Sequence, residues 1–248
     1  MVQYLLIIPI LPVSLSSTIN TCMQLKTATI IGASGMTGTY LFNLLLLDKS
    51  FETIRIIVRH SVSKAAANME VKLIDFENET AFKAAIGGSD VVFCCIGTTQ
   101  RNVKGDKALY RKIDIDIPVN AARYCKETGC EKFVIVSAVG ANSKSSNFYL
   151  RLKGEMEEAV KATGINAINI MQPSILLGDR NEKRFGETIA KIVMKLFSFL
   201  LIGNAQKYKA IHAKVLAQAM VNAAKNNKVA CTTYQYAAIV QLASSIQS

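Results

Sequence analysis

Short apolar, β-branched runs alternate along this chain with longer stretches of helical period. Strands buried on both faces of a parallel sheet and connected by helices produce that pattern. The runs are Thr27–Ile31, Thr53–Val58, Val71–Ile74, Asp90–Ile96, Lys132–Ser137 and Ala167–Met171. Helices are predicted between them over about 36–48, over 81–86, up to about Lys126, and over 147–162. The order βαββαβαβαβ predicts an α/β fold, a doubly wound parallel sheet. Beyond Met171, residues 187–202 read as a mostly apolar helix, His212–Lys225 as an amphipathic helix and Thr232–Ala237 as a last strand. No repeat or linker divides the pattern, so 26–240 is expected to form one domain, with about 174–210 as a small C-terminal helical portion on the substrate side.

The first strand ends in glycines at three-residue spacing, Gly32, Gly35 and Gly38, and an apolar helix follows at once. In a Rossmann-type dinucleotide site the first glycine allows a tight turn. The second lets backbone approach a pyrophosphate, and the third lets the helix pack against the strand. The phosphates then lie at the helix N-terminus, where unpaired N–H groups and the dipole favour negative charge. Gly32, Ala33, Ser34, Gly35, Met36 and Thr37 are the candidate contacts, with the hydroxyls of Ser34 and Thr37 as added donors.

The end of the second strand sets the cofactor preference. NAD-binding units place an acid there for the ribose 2′-hydroxyl, and an arginine there suits the 2′-phosphate of NADP. No acid lies between Ile54 and Asn68, and Arg59 stands in the slot. NADP(H) is therefore expected over NAD(H). Asp75 and Phe76, at the end of the third strand, are candidates to cover the adenine. Gly97 and Thr98, after the fourth, are placed for the nicotinamide ribose.

Charge widens the ligand question without answering it. The 248 residues carry a net charge of +11, from 29 basic and 18 acidic side chains. This suits anionic ligands, NADP and acidic metabolites among them. No nucleic-acid motif is present, so no nucleic-acid partner is expected. The basic segment Arg101–Lys112 reads as a solvated face, or alternatively as a recruiter of an anionic small-molecule substrate. Six cysteines without a regular framework predict reduced thiols in a cytoplasmic protein. Two distant histidines and no CxxC leave no expected metal site. Residues 1–25, apolar but broken by Pro9 and Pro12, are expected to be a poorly ordered extension. The 187–202 stretch is expected to pack on the core or act as a lid, with peripheral membrane contact the lesser alternative. His212 is expected to start a helix rather than to act in catalysis.

Tyr149 and Lys153 lie four residues apart, on one helix face, and Ser137 ends the preceding strand. Carbonyl reduction can use this trio. A phenol with an ordinary pKa of about 10 must exchange a proton near neutrality. A neighbouring ammonium favours phenolate and lowers that value. Lysine can also hold ribose hydroxyls, and the serine hydroxyl can orient a substrate carbonyl.

With GASGMTG at 32–38, Ser137 and Tyr149-x-x-x-Lys153, the chain resembles the atypical, extended-type short-chain dehydrogenases/reductases. Within them it is similar to the Tat-interacting protein 2 group of oxidoreductases and its microbial homologues. The carrying segments are IIGASGMTG, VVFCCIGTT, SKSSNFYLRLKGEME and QPSILLGDR. The resemblance implies Tyr149, Lys153 and Ser137 as catalytic residues, Arg59 at the 2′-phosphate, Gly97 and Thr98 near the ribose, and Pro173 beside the nicotinamide. Gln172 and Val139 depart from the pattern at positions expected near the substrate. Two functions follow: an NADP(H)-dependent oxidoreductase acting on a small carbonyl or alcohol, or an NADPH-sensing regulator acting through a partner.

Overall fold

A computed structural model describes residues 27–62, 66–178, 203–226 and 228–245. The predicted extension at 1–25 and the apolar stretch at 187–202 lie outside these residues.

Seven parallel strands form one sheet. In chain order they are β1 (Thr27–Ile31), β2 (Thr53–Val58), β3 (Met69–Leu73), β4 (Val91–Cys94), β5 (Lys132–Val136), β6 (Ala167–Met171) and, near the C-terminus, β9 (Cys231–Tyr234). Their spatial order is β3-β2-β1-β4-β5-β6-β9. The chain winds outward from β1 to β3, returns, and winds the other way from β4. The reversal falls between β1 and β4, where Ala28 pairs with both Ile54 and Val91. A ligand crevice opens at the carboxyl ends of the strands at such a point. Two further strands, β7 (Leu176–Leu177) and β8 (Ile211–His212), pair apart from the main sheet.

The central strands are apolar on both faces because helices cover both. On one side pack α2 (Glu79–Ile86), α4 (Ile117–Thr128) and α5 (Phe148–Ala162), with Phe82, Tyr124, Phe133 and Met156 in the core. On the other lie α1 (Met36–Leu47), α6 (Ala213–Lys225) and α7 (Tyr236–Ser244), closing over Ile30, Leu41, Phe93 and Met220.

Several boundaries differ from the sequence reading. The α2 helix starts two residues early at Glu79, β4 spans only Val91–Cys94, and β5 ends at Val136. Three further elements depart from it. The segment expected to run on into one helix instead starts as α3 (Lys107–Arg111), passes through a π-helical turn over Lys112–Asp116 and becomes α4. The β3 strand starts two residues early, because Met69 pairs with Ile54. The last strand stops at Tyr234, and Tyr236 and Ala237 begin α7, which buries Ile239. Alanine-rich, lightly polar sequence carries little strand-versus-helix signal; the fit of Ile239 into the core decides it. His212 is the N-cap of α6, its Nδ1 accepting from the Lys214 N–H.

Candidate functional site

The glycine turn is enforced by sterics. Gly32 has φ +86°, and a Cβ there would lie 2.8 Å from the Cys95 carbonyl carbon. A Cβ on Gly38 would lie 2.1 Å from the Gly32 oxygen, so α1 packs on the turn only with glycine at that position. Gly35 differs: its φ is −74°, and its nearest Cβ contact would be the Gly32 oxygen at 3.3 Å. Backbone excludes a Cβ at Gly32 and Gly38, whereas one at Gly35 would press more mildly on the Gly32 oxygen. Gly35 is also the N-cap of α1, with no side-chain cap and no acid in the first turn. The first N–H groups of the helix are left for a ligand.

Two adjoining cavities of about 400 and about 430 Å³ flank this N-terminus and share Gly35, Cys95, Ile96 and Gly97. The first is lined by Gly32, Ala33, Ser34, Arg59 and Phe76. Among the described residues Arg59 makes no ion pair, and it is exposed. The second is lined by Met36, Thr37, Thr98, Ser137, Tyr149, Lys153 and Pro173. Of the residues expected to contact cofactor or act in catalysis, Asp75 alone lines neither; it is exposed, and its carboxylate accepts from the Glu77 N–H at 3.0 Å.

The sequence reading missed two carboxylates: Asp114, in the wall of the second cavity, and Glu157, bonded to Ser137. The Nζ of Lys153 stands 2.7 Å from Asp114 Oδ1, with side-chain exposures of 6% and 1%. The other oxygen of Asp114 accepts from the Thr98 N–H at 2.8 Å, tying the π-helical turn to the loop after β4. Glu157, also buried, accepts from Ser137 Oγ at 2.5 Å and from Gln172 Nε2 at 2.8 Å. Gln172, expected near the substrate, is instead buried in this network. Tyr149, Lys153 and Glu157 form one stripe at four-residue spacing on α5, a signal readable in the sequence. Asp114 lay hidden in a segment that reads as basic.

These carboxylates change the electrostatics. Burial, the largest single influence, lowers the Lys153 pKa, but the charge and hydrogen bond of Asp114, with Tyr149 and Cys94, together outweigh it and raise the value above that of free lysine. For Tyr149, crowding by protein raises the pKa, Lys153 lowers it and Asp114 raises it. The net direction is upward, opposite to the lowering expected from Lys153 alone. The protein by itself holds Tyr149 as a neutral phenol. Within the basic segment, Arg111 pairs with Glu155 and Lys112 with Glu77, while Lys107 lies over the Phe148 ring, as does Arg151 of α5. Arg101 and Lys104 remain exposed beside the cavity loop.

A family model described as NAD(P)H-binding matches residues 32–227. The chain belongs to that NAD(P)H-binding family. It is 34% identical to the protein HTATIP2 of Rattus norvegicus over 203 residues, 81% of each chain. It is equally identical to the mitochondrial protein fmp52 of Aspergillus fumigatus, over 78% of this chain and 85% of that one. Among solved structures it is similar in fold to a UDP-N-acetylglucosamine 4-epimerase from Methanobrevibacter ruminantium (TM-score 0.64, 16% identity, 86% of this chain and 77% of that one). A UDP-glucuronic acid 4-epimerase from Bacillus cereus bound to UDP-glucuronic acid and NAD matches at TM-score 0.63 and 15% identity, over 84% and 76%. The chain thus has an NAD(P)-binding, oxidoreductase-like Rossmann fold. Among the described residues, no helix is long and apolar enough to cross a membrane.

Proposed function

We propose that this protein is an NADP(H)-dependent oxidoreductase acting on a small carbonyl or alcohol substrate. The observation that carries the reading is one cleft of two joined cavities. Arg59 lines the first, the uncapped α1 N-terminus stands at the junction, and Tyr149, Lys153 and Ser137 line the second.

The glycine turn and the α1 N–H groups fit a pyrophosphate, since Gly35, which lines both cavities, puts no side chain at the helix N-terminus. Arg59, free of ion pairs among the described residues, fits a 2′-phosphate. Lys153, held charged by Asp114, fits ribose hydroxyls. A bound nicotinamide supplies the hydride chemistry. Tyr149, a neutral phenol in this setting, holds the proton that a carbonyl oxygen takes up on reduction. Exposed Arg101 and Lys104 on the cavity loop favour an anionic substrate. Ion pairs buried beside a cleft cost desolvation energy, and a catalytic role accounts for retaining them better than a sensor role does. A cytoplasmic location is part of the proposal. It rests on five free cysteines among the described residues, and cell fractionation tests it, a mitochondrial signal overturning it.

Titration of the purified protein with NADPH and NADH, beside Arg59→Ala, tests the cofactor reading. The expected result is NADPH binding at least about tenfold tighter than NADH, falling to NADH-like affinity in the variant. Equal, weak binding of both overturns it.

A further inference from the structure

The hydrogen-bond polarity around Glu157 bears on which form of substrate the second cavity holds. Glu157 is 5% exposed. Its Oε1 accepts from Ser137 Oγ at 2.5 Å and Gln172 Nε2 at 2.8 Å, and Oε2 faces Lys161 Nζ at 3.6 Å. The Gln172 carbonyl oxygen accepts from Gln235 Nε2 at 3.0 Å, which fixes the amide with its NH₂ toward Glu157. Each group reaching Glu157 is a donor, and the carboxylate is the common acceptor.

A serine hydroxyl has one proton and two lone pairs. Ser137 commits that proton to Glu157, so toward the cavity its oxygen presents acceptor capacity only. Tyr149, lining the same cavity, presents a phenol O–H. A donor and an acceptor lining one cavity complement a hydroxyl, which accepts from one and donates to the other. A carbonyl oxygen satisfies only Tyr149 and faces the Ser137 lone pairs without a proton between them.

We propose that Glu157 is a specificity-determining positioning residue: through Ser137 it makes the cavity select a hydroxyl-bearing substrate, the alcohol form, over the matching carbonyl. This rests on the reading of the cleft as an NADP(H) site.

The test measures binding of cyclohexanol and cyclohexanone to the NADP⁺-loaded protein by saturation-transfer NMR. The wild type is expected to bind the alcohol about tenfold tighter, roughly the worth of one hydrogen bond. Glu157→Leu frees the Ser137 proton and is expected to abolish or reverse the preference, and Glu157→Asp to restore it. Equal binding, a ketone preference, no binding of either probe, or an unchanged preference in Glu157→Leu overturns the proposal. Neutron diffraction on the wild-type, cofactor-free protein gives a readout independent of variant folding. The deuteron of Ser137 is expected between Oγ and Glu157 Oε1; a deuteron turned into the cavity overturns the proposal. Failure to bind NADP⁺ at all strikes the cofactor reading instead and leaves the neutron result to decide the role of Glu157.

Discussion

Lys153 and Asp114 form a buried ion pair, Nζ to Oδ1 at 2.7 Å, in the wall of the second cavity. Removing one charge of such a pair strands the other away from water, at a cost of about 3–5 kcal/mol. Asp114→Asn is therefore expected to lower stability by about that much near neutral pH, read by urea denaturation. The pH dependence has a definite sign. Burial lowers the Lys153 pKa, but Asp114, with smaller help from Tyr149 and Cys94, more than restores it, so the folded value lies above the unfolded one. The stabilisation is fully present below the unfolded lysine value of about 10.4 and is lost as pH rises through the folded value. In Asp114→Asn the largest raising influence is gone while burial remains, so the folded value drops. The stability gap between the two proteins should narrow as pH rises from about 9 to 11; a gap that widens removes this account of the pair.

A second ion pair works on the acid side. Asp48, just past α1, meets Lys225 at the end of α6 at 2.5 Å, with side-chain exposures of 17% and 20%. Burial raises the Asp48 pKa, but hydrogen bonds from Lys225 and Ser50 outweigh it and hold the carboxyl below its usual range. Its contribution is present above the unfolded value of about 3.9 and is lost as pH falls through the folded value. Lys225→Met is expected to cost about 1 kcal/mol at neutral pH, with the difference vanishing in acid. Denaturation midpoints from pH 7 downward check this, and a deficit that persists in strong acid assigns the loss to packing rather than charge.

Local chemistry explains how much of this was legible. The glycine turn could be read because its demands are partly local: Gly32 takes a positive φ, and Gly38 packs against the Gly32 oxygen six residues back. Strands β2 and β6 were read to the residue because apolar runs flanked by polar ones carry their own boundaries. Long-range pairing was not readable. Met69 joins β3 because Ile54 lies opposite, and Tyr236 starts a helix because Ile239 finds a core. Asp114 was hidden for the same reason. It is one of two acids just past a basic run, and only the π-helical turn brings it to Thr98 and Lys153, 16 and 39 positions away in sequence. Glu157 was within reach, one turn beyond Lys153 on the stripe that begins at Tyr149.

The glycine turn separates fold from ligand. A methyl at residue 38 would sit 2.1 Å from the Gly32 oxygen, whereas one at residue 35 would sit 3.3 Å from it. Overpacking of the first kind costs about 1–3 kcal/mol or more, so Gly38→Ala is expected to lower the melting temperature by several degrees or to prevent folding. Gly35→Ala is expected to stay near the wild-type melting temperature while NADPH affinity falls about tenfold or more, because the methyl enters the space beside the α1 N-terminus. Thermal unfolding with and without NADPH distinguishes the two, and a Gly35→Ala protein that binds NADPH normally removes the pyrophosphate from this turn.

Tyr149 and Lys153 share a helix face but not an environment, and their variants should part accordingly. Tyr149 keeps 40% of its surface exposed and takes part in no hydrogen bond or ion pair among the described residues. Its loss leaves the surrounding packing intact. Lys153 neutralises Asp114 and lines the cavity beside Gly97, where a Cβ would stand 3.9 Å from its Nζ. Tyr149→Phe should therefore bind NADPH with wild-type affinity and wild-type stability, while turnover falls about 10²- to 10⁴-fold, the usual worth of a positioned acid–base group. Lys153→Met should lose stability, because it leaves the Asp114 carboxylate unpaired, and should lose NADPH affinity as well as turnover. Calorimetric titration with NADPH separates the roles before any substrate is in hand. Normal NADPH affinity in Lys153→Met would place the ribose elsewhere in the cleft, and weakened affinity in Tyr149→Phe would make the phenol a binding group rather than a proton donor.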